Sequence, residues 1–206
     1  MIKLILSEFR RNTFFYTTFL LAVVIASCLV SCEIVQFLGI LLFMRIQLLC
    51  IKNSFLDNTF FMNFYLPVKK YSVILSKILA GYSMVLLCFF IPKLMGFLQL
   101  THTIYEIDIP IRNCFSVMAL FLGFIYYFFF CHYTLSGDLK KIYSFNKLMA
   151  LIMIPVIIGF IRFDYVFMPI EAFFIPLNYW ISILGIIIFF LILASTYSYK
   201  YRHLDI

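Results

Sequence analysis

Six apolar stretches occupy most of this chain: Thr13–Ser31, Ile34–Ile51, Ser72–Leu98, Cys114–Thr134, Leu148–Ile161 and Asn178–Tyr197. A helix rises about 1.5 Å per residue and needs about 20 apolar residues to cross the hydrocarbon core of a bilayer. Runs of this length and apolarity predict transmembrane helices. The second run is short and contains Arg45; the fifth is short and contains Pro155. The expected fold is all-α, a polytopic membrane protein with six transmembrane helices. Composition agrees: 12% of residues are charged, against roughly a quarter in a soluble domain, and the mean hydropathy is +1.08. With 206 residues there is no room for a second, soluble domain. Residues 1–206 are expected to form a single transmembrane domain.

Orientation follows from Lys and Arg. Lys3, Arg10, Arg11, Lys52, Lys69, Lys70, Lys77, Lys140, Lys141, Lys147, Lys200 and Arg202 fall in the N-terminus, the 52–77 loop, the 135–147 loop and the C-terminal tail. The opposite loops hold only Arg112 and Arg162. Positively charged loops stay in the cytoplasm, so both termini are expected there. The same bias accounts for the net charge of +7, and no basic run exceeds two residues, so nucleic acid is not an expected partner. The first two spans, joined at Cys32–Glu33, should form a tight hairpin.

Residues 1–12 are amphipathic: Ile2, Ile5, Leu6 and Phe9 follow helical spacing, with Lys3, Glu8, Arg10 and Arg11 between them. This predicts an interfacial helix. The charges, and the lack of a small-residue cleavage site, argue against a cleaved signal peptide. Residues 162–177 are too apolar for a solvated loop and too short to span twice, so short outer helices, interfacial or partly re-entrant, are expected.

The chemistry of catalysis is missing from the sequence. None of the seven glycines is followed by Lys, so there is no phosphate-cradling loop. His102, His132 and His203 are isolated, and no carboxylates are paired within a span. We expect a non-enzymatic chain without a cofactor. The six cysteines form no CxxC pair and read as small packing residues, although Cys28, Cys32 and Cys114 could lie close enough to the outer surface to pair. Arg45 stands out, because an Arg at mid-span costs about 2.5–3.5 kcal/mol on insertion scales. It either snorkels to inner phosphates or lines an inner vestibule, with Gln47 as a polar neighbour. Lys93, after Pro92, is expected to snorkel outward.

The stretch after the second span carries the main functional signal. Leu66-Pro67-Val68-Lys69-Lys70 is followed by Val73-Ile74-Leu75-Ser76-Lys77 at the start of the third span, and the tail contains Ser198, Tyr199, Arg202 and Asp205. Together with the amphipathic start and the six-span layout, this resembles the ABC-2-type transporter permeases, close to the small bacterial peptide-export and immunity group. The resemblance implies residency in the bacterial cytoplasmic membrane and a partner ABC ATPase subunit. It also implies a second permease copy or a sister permease. Residues 53–71 would form the cytoplasmic coupling loop. Within it, Ser54–Phe64 would be a coupling helix, with Asp57, Phe60 and Phe61 touching the ATPase and Leu66, Pro67 and Lys69 leading into the third span. The substrate would be hydrophobic or amphipathic: a peptide, drug or lipid moved outward. A different reading of the same residues is a non-transporting immunity or scaffold protein, with Phe55, Phe60, Phe61 and Phe64 buried in lipid.

Overall fold

The computed structural model describes residues 2–30, 32–56, 70–98, 110–135, 139–166 and 179–200. These form seven helices: α1 (Ile2–Arg11), α2 (Thr13–Leu29), α3 (Cys32–Leu56), α4 (Lys70–Phe97), α5 (Pro110–Leu135), α6 (Leu139–Val166) and α7 (Tyr179–Tyr199). No strand occurs among the described residues. Helices α3 to α7 are each long and apolar enough to cross a membrane. Helix α2 has 17 residues, at the short end of what a span requires. The chain is an all-helical, multi-pass membrane protein.

Helix α1 does not continue into α2. The two meet at an 80° bend, with Asn12 out of helical geometry at φ −107° and ψ 21°. The Asn12 side chain donates to the Glu8 carbonyl at 3.3 Å, and the Thr13 hydroxyl donates to the Phe9 carbonyl at 2.9 Å. The Glu8 carbonyl also accepts from the Asn12 backbone N–H at 3.3 Å, so side chains and backbone together satisfy carbonyls at the end of α1. Helix α1 therefore runs across the end of α2 and packs against α4. That is the geometry an interfacial amphipathic helix needs.

Helix α4 is the hub of the bundle, touching α1, α2, α3, α5 and α7. About half or more of the spanning windows of α3, α4 and α5 are buried (61%, 56% and 50%), against 22% in α6 and α7. The core is aromatic: Phe19, Phe37, Phe43, Phe89, Phe124, Tyr126 and Phe190 are all fully buried. Edge-to-face and stacked pairs such as Tyr82–Phe124 at 4.7 Å and Phe124–Phe190 at 5.1 Å tie α4, α5 and α7 together. In a bilayer such packing, not exclusion from water, holds the helices together.

Polar bonds add specificity. Pro92 inside α4 cannot donate to the carbonyl four residues back, and its ring crowds that turn. In the same turn the Gln36 amide of α3 donates to the Phe89 carbonyl at 3.0 Å, and Ser116 of α5 donates to the Gln36 carbonyl oxygen at 2.6 Å. A neighbouring helix thus supplies a donor in the turn that the proline disturbs, which is how spans tolerate proline. At the other end of the bundle Tyr126 donates to Asn146 at 3.0 Å, and His132 and Tyr197 share a 2.8 Å bond.

Several boundaries differ from the sequence reading. Helix α2 ends at Leu29 and α3 begins at Cys32, so Cys32 and Glu33 open α3 instead of joining the spans. A carboxylate in that first turn suits the positive end of the helix. Helix α3 continues through Lys52 to Leu56, so residues 53–56 extend the second span and do not start a separate coupling helix. Helix α6 begins at Leu139 and runs through Pro155 to Val166, which turns most of the expected 135–147 loop, and residues 162–166, into helix. Apolarity marks only the lipid-buried part of a helix, whereas internal backbone bonds let it run on into water. The rest of the expected outer helices, 167–177, lies outside the described residues. All six cysteines are free.

Reporter fusions test the orientation. Ile206 should report cytoplasm, and positions beside Asp108 and Glu171 should report the outside. An outside signal at Ile206 would break the six-span arrangement.

Candidate functional site

Helices α1 to α5 converge on a cavity of about 60 Å³ with a mixed, largely apolar lining. A water needs roughly 10–15 Å³ of such space, so several fit. Each helix contributes residues at helical spacing, so one face of each lines the site. Glu8, Asn12 and Tyr16 follow one another at steps of four across the α1–α2 bend. Helix α3 supplies Gln47, Cys50 and Ile51, α4 supplies Ile74 and Lys77, and α5 supplies Tyr127, Cys131 and Thr134. Phe130 and Leu135 close the apolar side. Lys52, Lys70 and Lys77 lie towards this same end, the end that the distribution of Lys and Arg leads us to expect in the cytoplasm.

The electrostatic centre is an ion pair. Lys77 Nζ lies 4.0 Å from Glu8 Oε1, and the two side chains are only 19% and 17% exposed. Removing one partner from a pair this buried leaves an uncompensated charge, which is costly. The pair fastens the interfacial helix to the hub helix. One turn deeper, the Gln47 amide donates to the Tyr16 hydroxyl at 3.3 Å, joining α3 to α2. The Tyr127 hydroxyl donates to the Lys77 carbonyl at 3.1 Å, drawing α5 onto α4. Tyr127 can come this close because residue 81 is glycine: a Cβ there would collide with the Tyr127 ring.

The wall thus offers one acid, one base and several neutral hydrogen-bonding groups beside apolar surface. That lining suits water or the polar part of an amphipathic molecule. Among the described residues, no group of three or more His, Cys, Asp or Glu could hold a metal.

The residues singled out from sequence fare differently. Gln47 is buried and lines the cavity. Arg45, two residues earlier on α3, is exposed and is not among the lining residues. Asp57, Phe60, Phe61, Leu66, Pro67 and Lys69 lie outside the described residues. Lys93, half-buried near the outer end of α4, sits within electrostatic reach of Glu33 and over the Phe89 ring at 5.6 Å. Sixteen residues separate Lys77 from Lys93 on α4, about 24 Å along a helix. The hub therefore carries a lysine with a carboxylate neighbour towards each membrane boundary. The pairing of Glu8 with Lys77 was not anticipated. A signal for it exists in retrospect: Glu8 is the one acid in the amphipathic helix, and Lys77 lies more than a turn inside the third apolar run.

Since Arg45 is exposed on α3, Arg45→Leu is expected to leave folding and function intact, or to raise thermal stability slightly by removing an insertion cost. Insertion yield and melting in detergent measure this. A clear loss of function with normal insertion would give Arg45 a working role.

Comparison of the chain with protein-family models, with characterised proteins and with solved structures finds no match in any of the three. Functional argument rests on the residues and their geometry.

Proposed function

We propose that this chain is the membrane subunit of an ATP-driven exporter of the ABC-2 type. It would act in a bacterial cytoplasmic membrane as half of a permease pair, with a second copy or a sister permease, and separate ATPase subunits would hydrolyse the nucleotide. One observation carries most of the weight. Helix α4 follows directly on the basic Leu66–Lys70 stretch, is fastened to the interfacial helix through Glu8 and Lys77, and touches five of the other six helices. A push on the cytoplasmic segment before α4 would therefore reach the whole bundle. Energetic coupling needs an element that both sites bias, and α4 is placed to be one. The inner cavity, largely apolar with a few charged and hydrogen-bonding groups, suits a hydrophobic or amphipathic substrate entering from the cytoplasmic side.

The test is purification of the tagged chain from its native membranes in mild detergent, with ATP hydrolysis assayed in the eluate. This chain has no nucleotide-binding loop, so hydrolysis that co-elutes with it requires a partner. A pure chain without associated hydrolysis would favour the immunity or scaffold reading.

A further inference from the structure

Helix α3 packs against α2, α4, α5 and α6 and is the most buried of the spanning helices. Between Cys32 and Lys52 its exposed residues are Leu38, Leu42, Arg45, Leu49 and Lys52. They follow one another at steps of four, three, four and three, so they form a single stripe along the helix. The stripe is narrow, with neighbouring helices on either side. One half of it is apolar. The other half carries two cations, and no acid lies on it.

The 21 residues from Cys32 to Lys52 rise about 30 Å, the thickness of the hydrocarbon core. Lys52 therefore stands at the membrane boundary expected to face the cytoplasm, and Arg45 lies about 10 Å inside it. Neither has a hydrogen bond or an ion pair among the described residues. An unpaired guanidinium facing lipid at this depth is costly, so its counter-charge has to come from outside the helix bundle. Long basic side chains bend towards the interface, which carries Arg45 towards Lys52. Helical side chains lean towards the N-terminus, which carries Lys52 towards Arg45. The two cations can therefore meet on one group lying over Leu49. Phosphate suits that place, because a guanidinium matches its oxygens in bidentate geometry.

We propose that the α3 stripe binds one anionic phospholipid, with its phosphate between Arg45 and Lys52 and an acyl chain along Leu42 and Leu38. Net charge sets the class: two cations without an acid favour a lipid of net negative charge over a zwitterionic one. Basic sites between spanning helices recognise such headgroups. The site is separate from the inner cavity, which neither Arg45 nor Lys52 lines, and it stands whether or not the chain transports anything.

The chain has one tryptophan, Trp180, so a reporter can be placed at will. Trp180→Phe removes the native indole. Adding Leu49→Trp places one between the two cations. A second variant adds Thr196→Trp instead, at an exposed position of α7. Leu49 and Thr196 each lie three residues before the end of an apolar span, at Lys52 and Tyr199, so the two reporters sit at similar depth. Each protein is reconstituted in vesicles of brominated anionic lipid, which quenches an adjacent indole, mixed with plain zwitterionic lipid, and then with the bromine on the other lipid. The two quenching curves give the relative affinity for the anionic lipid.

We expect the reporter at position 49 to favour anionic lipid about fivefold or more over the reporter at position 196. Arg45→Met with Lys52→Met should remove that excess, and both positions face lipid, so the bundle should survive the change. Excess inorganic phosphate should leave the quenching intact, because it has no acyl chain to lie on Leu38 and Leu42. Equal preference at the two positions, or an excess that survives the double substitution, would overturn the proposal. So would displacement by inorganic phosphate. A reporter at position 49 that neither lipid quenches, as when a second copy of the chain covers the stripe, would overturn it as well.

Discussion

Gly81→Ala should melt several degrees below the unmodified protein. The added Cβ would meet the Tyr127 ring, and that ring has little freedom to withdraw. It packs at 5.5 Å from Phe43, 5.9 Å from Phe130 and 6.3 Å from Tyr82, and its hydroxyl is tied to the Lys77 carbonyl. Overpacking of a tight core costs about 1–3 kcal/mol, and a displaced ring would also lose its hydrogen bond. A chain of this size loses about 2–4 °C per kcal/mol. Gly185→Ala is the control: nothing lies within 4 Å of a Cβ there, and alanine is the better helix former, so melting should hold or rise. Adding Tyr127→Leu to Gly81→Ala should recover part of the loss. Equal melting of the two glycine variants in mild detergent would contradict the packing described for α4 and α5.

The second large effect concerns the partner. Under the proposed function, Phe60 and Phe61 are aromatic anchors in the cytoplasmic segment that leads to α4. Losing one such anchor from an interface can cost about 2 kcal/mol or more. Phe60→Ala combined with Phe61→Ala should therefore abolish co-purification of the ATPase, while the chain still inserts and melts normally. Pro67→Ala should be milder, because it removes little contact area. If the double variant retains its ATPase, this segment does not couple the two, and the proposed mechanism loses its basis.

The apolar runs made the helical spans legible, and the i, i+3, i+4, i+7 pattern of Ile2, Ile5, Leu6 and Phe9 made the amphipathic start legible. Hydropathy failed at the helix ends. It ended α3 near Ile51 and began α6 at Leu148, because a helix keeps its backbone satisfied beyond the lipid and no longer needs apolar side chains there. The cavity was hidden for another reason. Its polar residues are spread over five helices, and no local window contains more than two turns of any one face. Gln47 drew attention only as a polar residue near Arg45. Glu8 read as part of an amphipathic face, and Gly81 as one of seven scattered glycines. What makes Gly81 matter is the approach of Tyr127 from a helix some 46 residues further on, a contact that only tertiary packing creates.

The most direct measurement of the central claim is the mass of the intact assembly, released from native membranes in mild detergent and weighed without unfolding. An ABC-2-type exporter predicts two permease chains, identical or paired with a sister, together with two nucleotide-binding subunits. The nucleotide-binding subunits should be lost on Phe60→Ala with Phe61→Ala. A mass equal to this chain alone or to its simple dimer, unchanged by that double substitution, would contradict the account.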